Sequence, residues 1–281
     1  MPGLDRYFSF GARVQWLEIF EKYEGGPEFW KTDGDGLVAN KKKDAFLNFL
    51  KDADLVKYDK KADGDKYTKC LPTSFASTVF HLGSASSTTW ALILTNLAYT
   101  PAYNWFVRNL KVDSTYTPES LKLMLSDVME NDIKGLGKRN VVDSLKIVMC
   151  KTPLGKDGVF ASVDSTEKIS ASGVETITLN SLTRVSWQYP EPLVILYSLY
   201  KFAEACGDYY QFTLSRLLNH EIESDGVSPT EIFGLDQDQM EKILKGLTFN
   251  YPEYISATFT LDLDNINLNP EKTSADVLEI F

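Results

Sequence analysis

"LVANKKKDAFLNFLKDADLVKYDKKADGDKYTKCLPT", residues 37–73, decides how this chain is read. Asn40 is a favoured N-cap residue, and Phe46, Leu47, Phe49 and Leu50 fall on one side of a helix, so the spacing predicts a helix from Lys41 to about Ala53. Leu55-Val56 and Tyr67-Thr68 then read as short strands either side of "KKADGDK", where Asp63-Gly64 suits a tight turn. Upstream, Trp16, Leu17, Ile19, Phe20 and Tyr23 share the broad face of a helix beginning near Ala12, opposite Glu18, Glu21 and Lys22, with Val14 on the polar side. Gly25, Gly26 and Pro27 end it. Two helices and a hairpin with a charged tip are the order of a winged helix-turn-helix. In such modules the second helix enters the major groove and the hairpin is free to touch the backbone. A small helical domain that carries a hairpin, or a winged fold used for protein contacts, has the same pattern.

The charge distribution bears on that choice. The 281 residues hold 29 Lys+Arg against 39 Asp+Glu, a net charge of −10. Residues 1–70 hold 13 of each sign and residues 71–200 hold 11 of each, whereas residues 201–281 hold 5 basic against 15 acidic. The acid excess therefore lies at the far end, and the first part is free to meet phosphate. Asn40, Lys41, Lys42 and Lys43 stand at a helix N-terminus, where side-chain charge adds to the positive end of the helix dipole. Lys57, Lys60, Lys61 and Lys66 lie on or near the expected wing. These eight residues are the candidate DNA-binding set. Lysine suits backbone attraction, whereas reading guanine favours arginine. Asp44, Asp52, Asp54, Asp59, Asp63 and Asp65 interleave with them, so a solvated charged face is the equally weighted alternative.

The remaining chain reads as a helical middle and an acidic end. "SSTTWALILTNLAY" (86–99) predicts a buried helix and "PAYNWFVRNL" (101–110) an aromatic one. Thr117 with Pro118 marks a helix start, and Lys138-Arg139 opens another helix. Residues 165–187 are polar and partly β-branched, which predicts short strands around an irregular excursion. Beyond Pro190, helices precede an alternation of Ile255, Ala257, Phe259, Leu261 and Leu263 that predicts a strand or hairpin. The expected class is mainly α with small β-hairpins (α+β), as tandem winged-helix-like units: an N-terminal winged helix over 1–75, a helical middle region over 76–188 and an acidic winged-helix-like unit over 189–281. The acidic unit suits a protein partner better than phosphate.

Little else in the sequence announces chemistry. There is no Walker A, G-x-G-x-x-G or G-x-S-x-G pattern. His81 and His220 stand in no metal-ligand spacing. "DGDG" (33–36) and "DLDN" (262–265) lack the later ligands of a calcium loop. The spacing assigns no catalytic residue, and no metal ligand or cofactor is expected, with Mg²⁺ or Mn²⁺ entering only if carboxylates assemble in space as in metal-dependent nucleases. Cys70, Cys150 and Cys206 read as reduced thiols, no apolar run is long enough for a membrane span, and no leader pattern opens the chain, so a cytoplasmic location is expected.

Phe10-Gly11, Asn40-Lys41, Trp90 and Trp105-Phe106, taken in order, resemble the bacterial family called domain of unknown function 4007 over roughly residues 8–150. The resemblance implies a role in DNA phosphorothioation and its linked phage defence, beside a cysteine desulfurase and a phosphoadenosine phosphosulfate reductase-like protein. It also implies likeness to the nicking subunit of the Ssp system, and hence a metal-dependent nickase as one alternative and a non-enzymatic adaptor as another. The chain departs from the family where many members carry Gly-His-Glu-Thr-Phe; here Gly11-Ala12-Arg13-Val14-Gln15 stands, so no catalytic residue carries over.

Overall fold

The computed structural model describes residues 3–31, 40–170, 175–222, 224–260 and 263–281. The chain opens with α1 (Val14–Lys22), a 3-10 turn over Pro27–Lys31 and α2 (Asn40–Asp52). Trp16, Leu17 and Phe20 bury one face of α1 against Phe29, Trp30 and Phe46, an aromatic cluster with ring centroids 4.8–6.4 Å apart. Strands β1 (Val56–Tyr58) and β2 (Cys70–Pro72) pair antiparallel with Tyr58 opposite Cys70. The second strand thus starts three residues later than Tyr67-Thr68. The Asp65 carboxylate accepts from the Tyr67 and Thr68 amides, each at 3.0 Å, and fixes those residues in a turn.

The middle of the chain runs through α3 (Ser74–Leu82), α4 (Ser87–Leu97), α5 (Pro101–Asn109), β3 (Thr115–Tyr116), α6 (Pro118–Met124), α7 (Leu136–Lys151), the short α8 (Pro153–Lys156), β4 (Ala161–Ile169) and β5 (Glu175–Arg184). Thr117 caps α6 as the sequence indicates, in a capping box closed by Ser120. Residues 161–184 form two long strands rather than short ones. Only one side of β5 is covered, by Ile177, Leu179 and Leu182, so their polar composition matches a half-exposed sheet.

The last part holds α9 (Pro192–Ala205), β6 (Gln211–Phe212), α10 (Leu214–Leu218), α11 (Pro229–Phe233), α12 (Gln237–Asn250), β7 (Ile255–Thr260), β8 (Leu263–Leu268) and α13 (Ser274–Leu278). The alternation from Ile255 is therefore a hairpin. The fold is α+β, with thirteen α-helices and three small antiparallel sheets among the described residues. The two three-stranded sheets have the orders β3-β5-β4 and β6-β8-β7. In each, the short strand before the helices bonds to the last strand, and the two later strands form the hairpin.

Helices α4 and α9 are buried on nearly every side and pack together at the centre. Asn96 joins them: its amide donates to the Ala53 carbonyl at the end of α2 (3.0 Å) and its oxygen accepts from Tyr197 Oη of α9 (2.7 Å). A second junction is Arg184, 1% exposed at the end of β5. Its Nη1 donates to the Phe160 and Val185 carbonyls (2.6 and 2.8 Å), and its Nη2 to those of Glu231 and Ile232 (3.1 and 2.7 Å). The guanidinium also lies 3.8 Å from the Phe160 ring centroid. Burial pulls its pKa down to about 9. Four carbonyl dipoles and an aromatic face stand where a carboxylate would ordinarily be. No helix among the described residues is long and apolar enough to cross a membrane.

Candidate nucleic-acid interface

The first turn of α2 spreads its lysines rather than gathering them. Successive helical residues are about 100° apart, so three in a row cannot share a face. Lys41 is exposed. The Lys42 ammonium sits 5.9 Å from the Phe10 ring centroid, and Lys43 donates to the Trp30 carbonyl at 3.0 Å. Asn40 is the first helical residue.

The connection between β1 and β2 folds back along α2. Lys66 pairs with Asp44 at 2.5 Å, Tyr67 Oη donates to the same carboxylate at 2.8 Å, and the Tyr67 ring lies 5.1 Å from that of Trp30. Further along, the Lys51 ammonium approaches Tyr58 at 5.7 Å. Asp44 and Lys51 are seven positions apart and share the exposed arc of α2 that also carries Lys41. Lys57, Lys60 and Lys61 are exposed on this connection and its first strand. Of the eight candidates, Lys41, Lys57, Lys60 and Lys61 are solvent-facing cations, whereas Lys42, Lys43 and Lys66 are engaged with Phe10, Trp30 and Asp44.

Asp44 organises this surface. Partial burial pushes its carboxyl up, but hydrogen bonds from Lys66 and Tyr67 hold it below the usual carboxylate range. A carboxylate depressed in the folded state stabilises above its unfolded pKa, about 3.9, and that contribution is lost as pH falls through the folded value. Backbone amides of residues 59–69 are therefore expected to be protected from hydrogen exchange near pH 6 and to lose protection near pH 3. Asp44→Asn is expected to remove most of that pH dependence.

The other basic helix start, at Lys138-Arg139, is closed. The Lys138 amide donates to the Asp132 carboxylate at 2.7 Å, and the backbone amides at the start of α7 hold Asp132 below its usual range. Arg139 and Lys146 both pair with Asp143, at 3.5 and 2.9 Å. Lys151 bridges Glu167 and Glu175 on the two strands beside it, at 3.0 and 2.6 Å. One flank of α7 is covered by the chain's own N-terminal segment. A Cβ built on Gly11 would stand 2.3 Å from the Ser144 carbonyl oxygen and 2.8 Å from the Val148 nitrogen. Sequence reading missed these links because their partners are far apart in the chain, although the Phe10-Gly11 pair was itself a signal.

"DGDG" (33–36) and Asp262 lie outside the described residues, and Asp264 accepts from the Ser215 amide at 3.2 Å. Among the described residues no group of three His, Cys, Asp or Glu side chains is placed to hold a metal ion. Cys70 and Cys150 are buried, and burial pushes both thiols up.

Compared with known proteins, the chain is similar over its whole length to two solved structures of SspB, one of them described as magnesium ion-bound. Both are 15% identical to it and are matched over 88% of their own chain, with TM-scores of 0.67 for the magnesium-bound structure and 0.64 for the other. At this identity the likeness is one of fold. No family model and no curated protein matches the sequence.

Proposed function

We propose that this chain is a DNA-contacting component of a bacterial DNA phosphorothioation and phage-defence system of the Ssp type. The observation that carries the proposal is the full-length fold likeness to SspB. The strand orders β3-β5-β4 and β6-β8-β7, each entered through helix, strand and three helices, support reading the second and third of the units 1–75, 76–188 and 189–281 as winged helices, after a helix–helix–hairpin unit at the front. DNA is contacted there, through the outer arc of α2 and the β1–β2 connection. Lys41, Lys57, Lys60 and Lys61 meet phosphates, and Lys42, Lys43 and Lys66 shape the surface. Support for this side over α7 comes from the spent charges of α7 and the segment around Gly11 that covers it.

Fluorescence anisotropy with duplex DNA across a salt series tests this reading. Four phosphate contacts give a slope of log K against log salt of about −4. Lys41→Glu/Lys57→Glu/Lys60→Glu/Lys61→Glu is expected to abolish binding with the fold intact by circular dichroism. Affinity indifferent to salt, or unchanged in that variant, would sink the assignment.

The acid excess of residues 201–281 favours a second reading for that end: docking of a protein partner, for which the cysteine desulfurase and the phosphoadenosine phosphosulfate reductase-like protein of such systems are the candidates. A nicking role stands as the enzymatic alternative, and supercoiled plasmid incubated with Mg²⁺ or Mn²⁺ decides it.

A further inference from the structure

We infer that the groove between α5 and the segment joining α10 to α11 is a binding site for a small phosphate-type oxyanion, separate from the surface on α2. Two open cavities meet there. One, of about 540 Å³, is lined by Arg108, His220 and Glu231; the other, of about 690 Å³, by Phe202, Phe212 and Arg216. Between them, lined by residues of both, is a narrow polar neck of about 10 Å³ to which Arg108, Arg216, His220 and Glu231 all contribute. That volume holds one water-sized atom, the size of a single oxyanion oxygen, while either cavity takes the rest of the ligand.

The neck concentrates unspent positive charge. Residues 201–281 carry only five Lys and Arg, yet Arg216 stands here, and α5 brings Arg108 to the same point. The Arg216 guanidinium makes no hydrogen bond or ion pair with a described residue and lies 5.6 Å from the Phe202 ring centroid. Arg108 uses Nη2 on the Ser224 and Gly226 carbonyls (3.0 and 3.2 Å) and stands 3.9 Å from Glu231, which leaves Nη1 to meet a ligand. Among the described residues that line the neck, two guanidiniums face one carboxyl, that of Glu231, which burial pushes up despite Arg108. Planar donor forks matched to tetrahedral oxyanions are what arginine supplies.

His220 couples the site to protons. His220 Nε2 lies 3.0 Å from Thr230 Oγ1, and protonation of the ring makes both of its nitrogens donors. Burial and the Arg108 cation hold His220 below the usual histidine range. The charged groups around it are Arg108 from α5, Arg216 from α10, Glu231 from α11, Glu221 beside it, and Lys111 and Asp236 at the rim. An anion in the neck reverses the effect of Arg108 and draws a proton onto the ring. Glu221, Asp225 and Asp236 at the outer mouths oppose a long polyanion, which makes the ligand a compact phosphate or phosphate monoester.

The test uses the full chain and nuclear magnetic resonance of its two histidines, with His81→Gln to assign the signal. Inorganic phosphate is expected to shift the His220 ring resonances saturably and to raise its pKa, whereas chloride at equal ionic strength does neither. Arg216→Gln is expected to weaken binding about tenfold or more, with partial recovery in Arg216→Lys. Adenosine monophosphate and a 5′-phosphorylated oligonucleotide separate the two sources. Equal affinity for both identifies a free phosphate ligand, and binding by the oligonucleotide above its unphosphorylated form identifies a nucleic-acid end. No saturable shift with any of the three, a shift reproduced by chloride, or unchanged affinity in Arg216→Gln overturns the site. The DNA reading survives that failure, since the α2 variants do not touch the groove.

Discussion

Replacing Arg184 by methionine is expected to cost about 3 kcal/mol of stability, or roughly 6–10 °C in melting temperature for a chain of this size. Methionine fills similar volume but leaves the carbonyls of Phe160, Val185, Glu231 and Ile232 facing an apolar side chain with no donor. The desolvation of the guanidinium is relieved, which keeps the loss below the sum of four bonds. Arg184→Lys is expected to recover only part of the loss, because an ammonium cannot reach carbonyls spread around a planar fork. Two of the four belong to α11 and one to the loop before β4, so the variant should also loosen the C-terminal unit from the middle one. Denaturant unfolding followed by tryptophan fluorescence reads this, since Trp187 lies tilted against Phe233, ring centroids 5.2 Å apart, beside the junction. A single unshifted transition would show that the carbonyls find water instead.

Gly11→Ala is expected to be nearly as damaging, at about 2–3 kcal/mol, though it adds one methyl group to a chain of 281 residues. The new carbon would lie 2.3 Å from the Ser144 oxygen, 2.8 Å from the Val148 nitrogen and 2.9 Å from the Ile147 Cβ. Most of that obstacle is helix backbone, which cannot turn aside as a flexible side chain would. The N-terminal segment must lift away from α7 and strain the packing of Ala12 and Trp16 behind it. Limited proteolysis should then cut between residues 3 and 13 in the variant under conditions where the parent resists. Equal resistance would mean that α7 accommodates the methyl group.

Much of the fold was legible in the sequence. α2, the position of the turn after it, the capped start of α6 and the final hairpin followed from periodicity and capping residues. The sheet of residues 161–184 was harder because one face is wet, and because Arg184, a charged residue, is among its most buried positions. The candidate site was legible in composition but not in direction. Lys41, Lys42 and Lys43 share a turn and therefore diverge, which follows from the helical repeat alone. The pairing of Asp44 with Lys66 follows from no local pattern, since 22 positions separate them and only the fold of the connection brings them together. The groove at Arg108 and Arg216 was equally hidden, with half of it on each side of a long stretch of chain.

The central pair of helices has a consequence for how the protein is made. α4 is buried almost all round, and the helix that covers much of it, α9, begins at residue 192. At roughly 5–20 residues per second, α4 is synthesised on the order of ten seconds before α9 leaves the ribosome. Asn96 must also wait that long for the hydroxyl of Tyr197. During this interval the nascent chain presents an unprotected greasy helix, the kind of segment that chaperones hold and proteases remove. A prematurely terminated product ending before residue 192 would keep that exposure permanently, so cells should clear such fragments rather than accumulate a partly working protein.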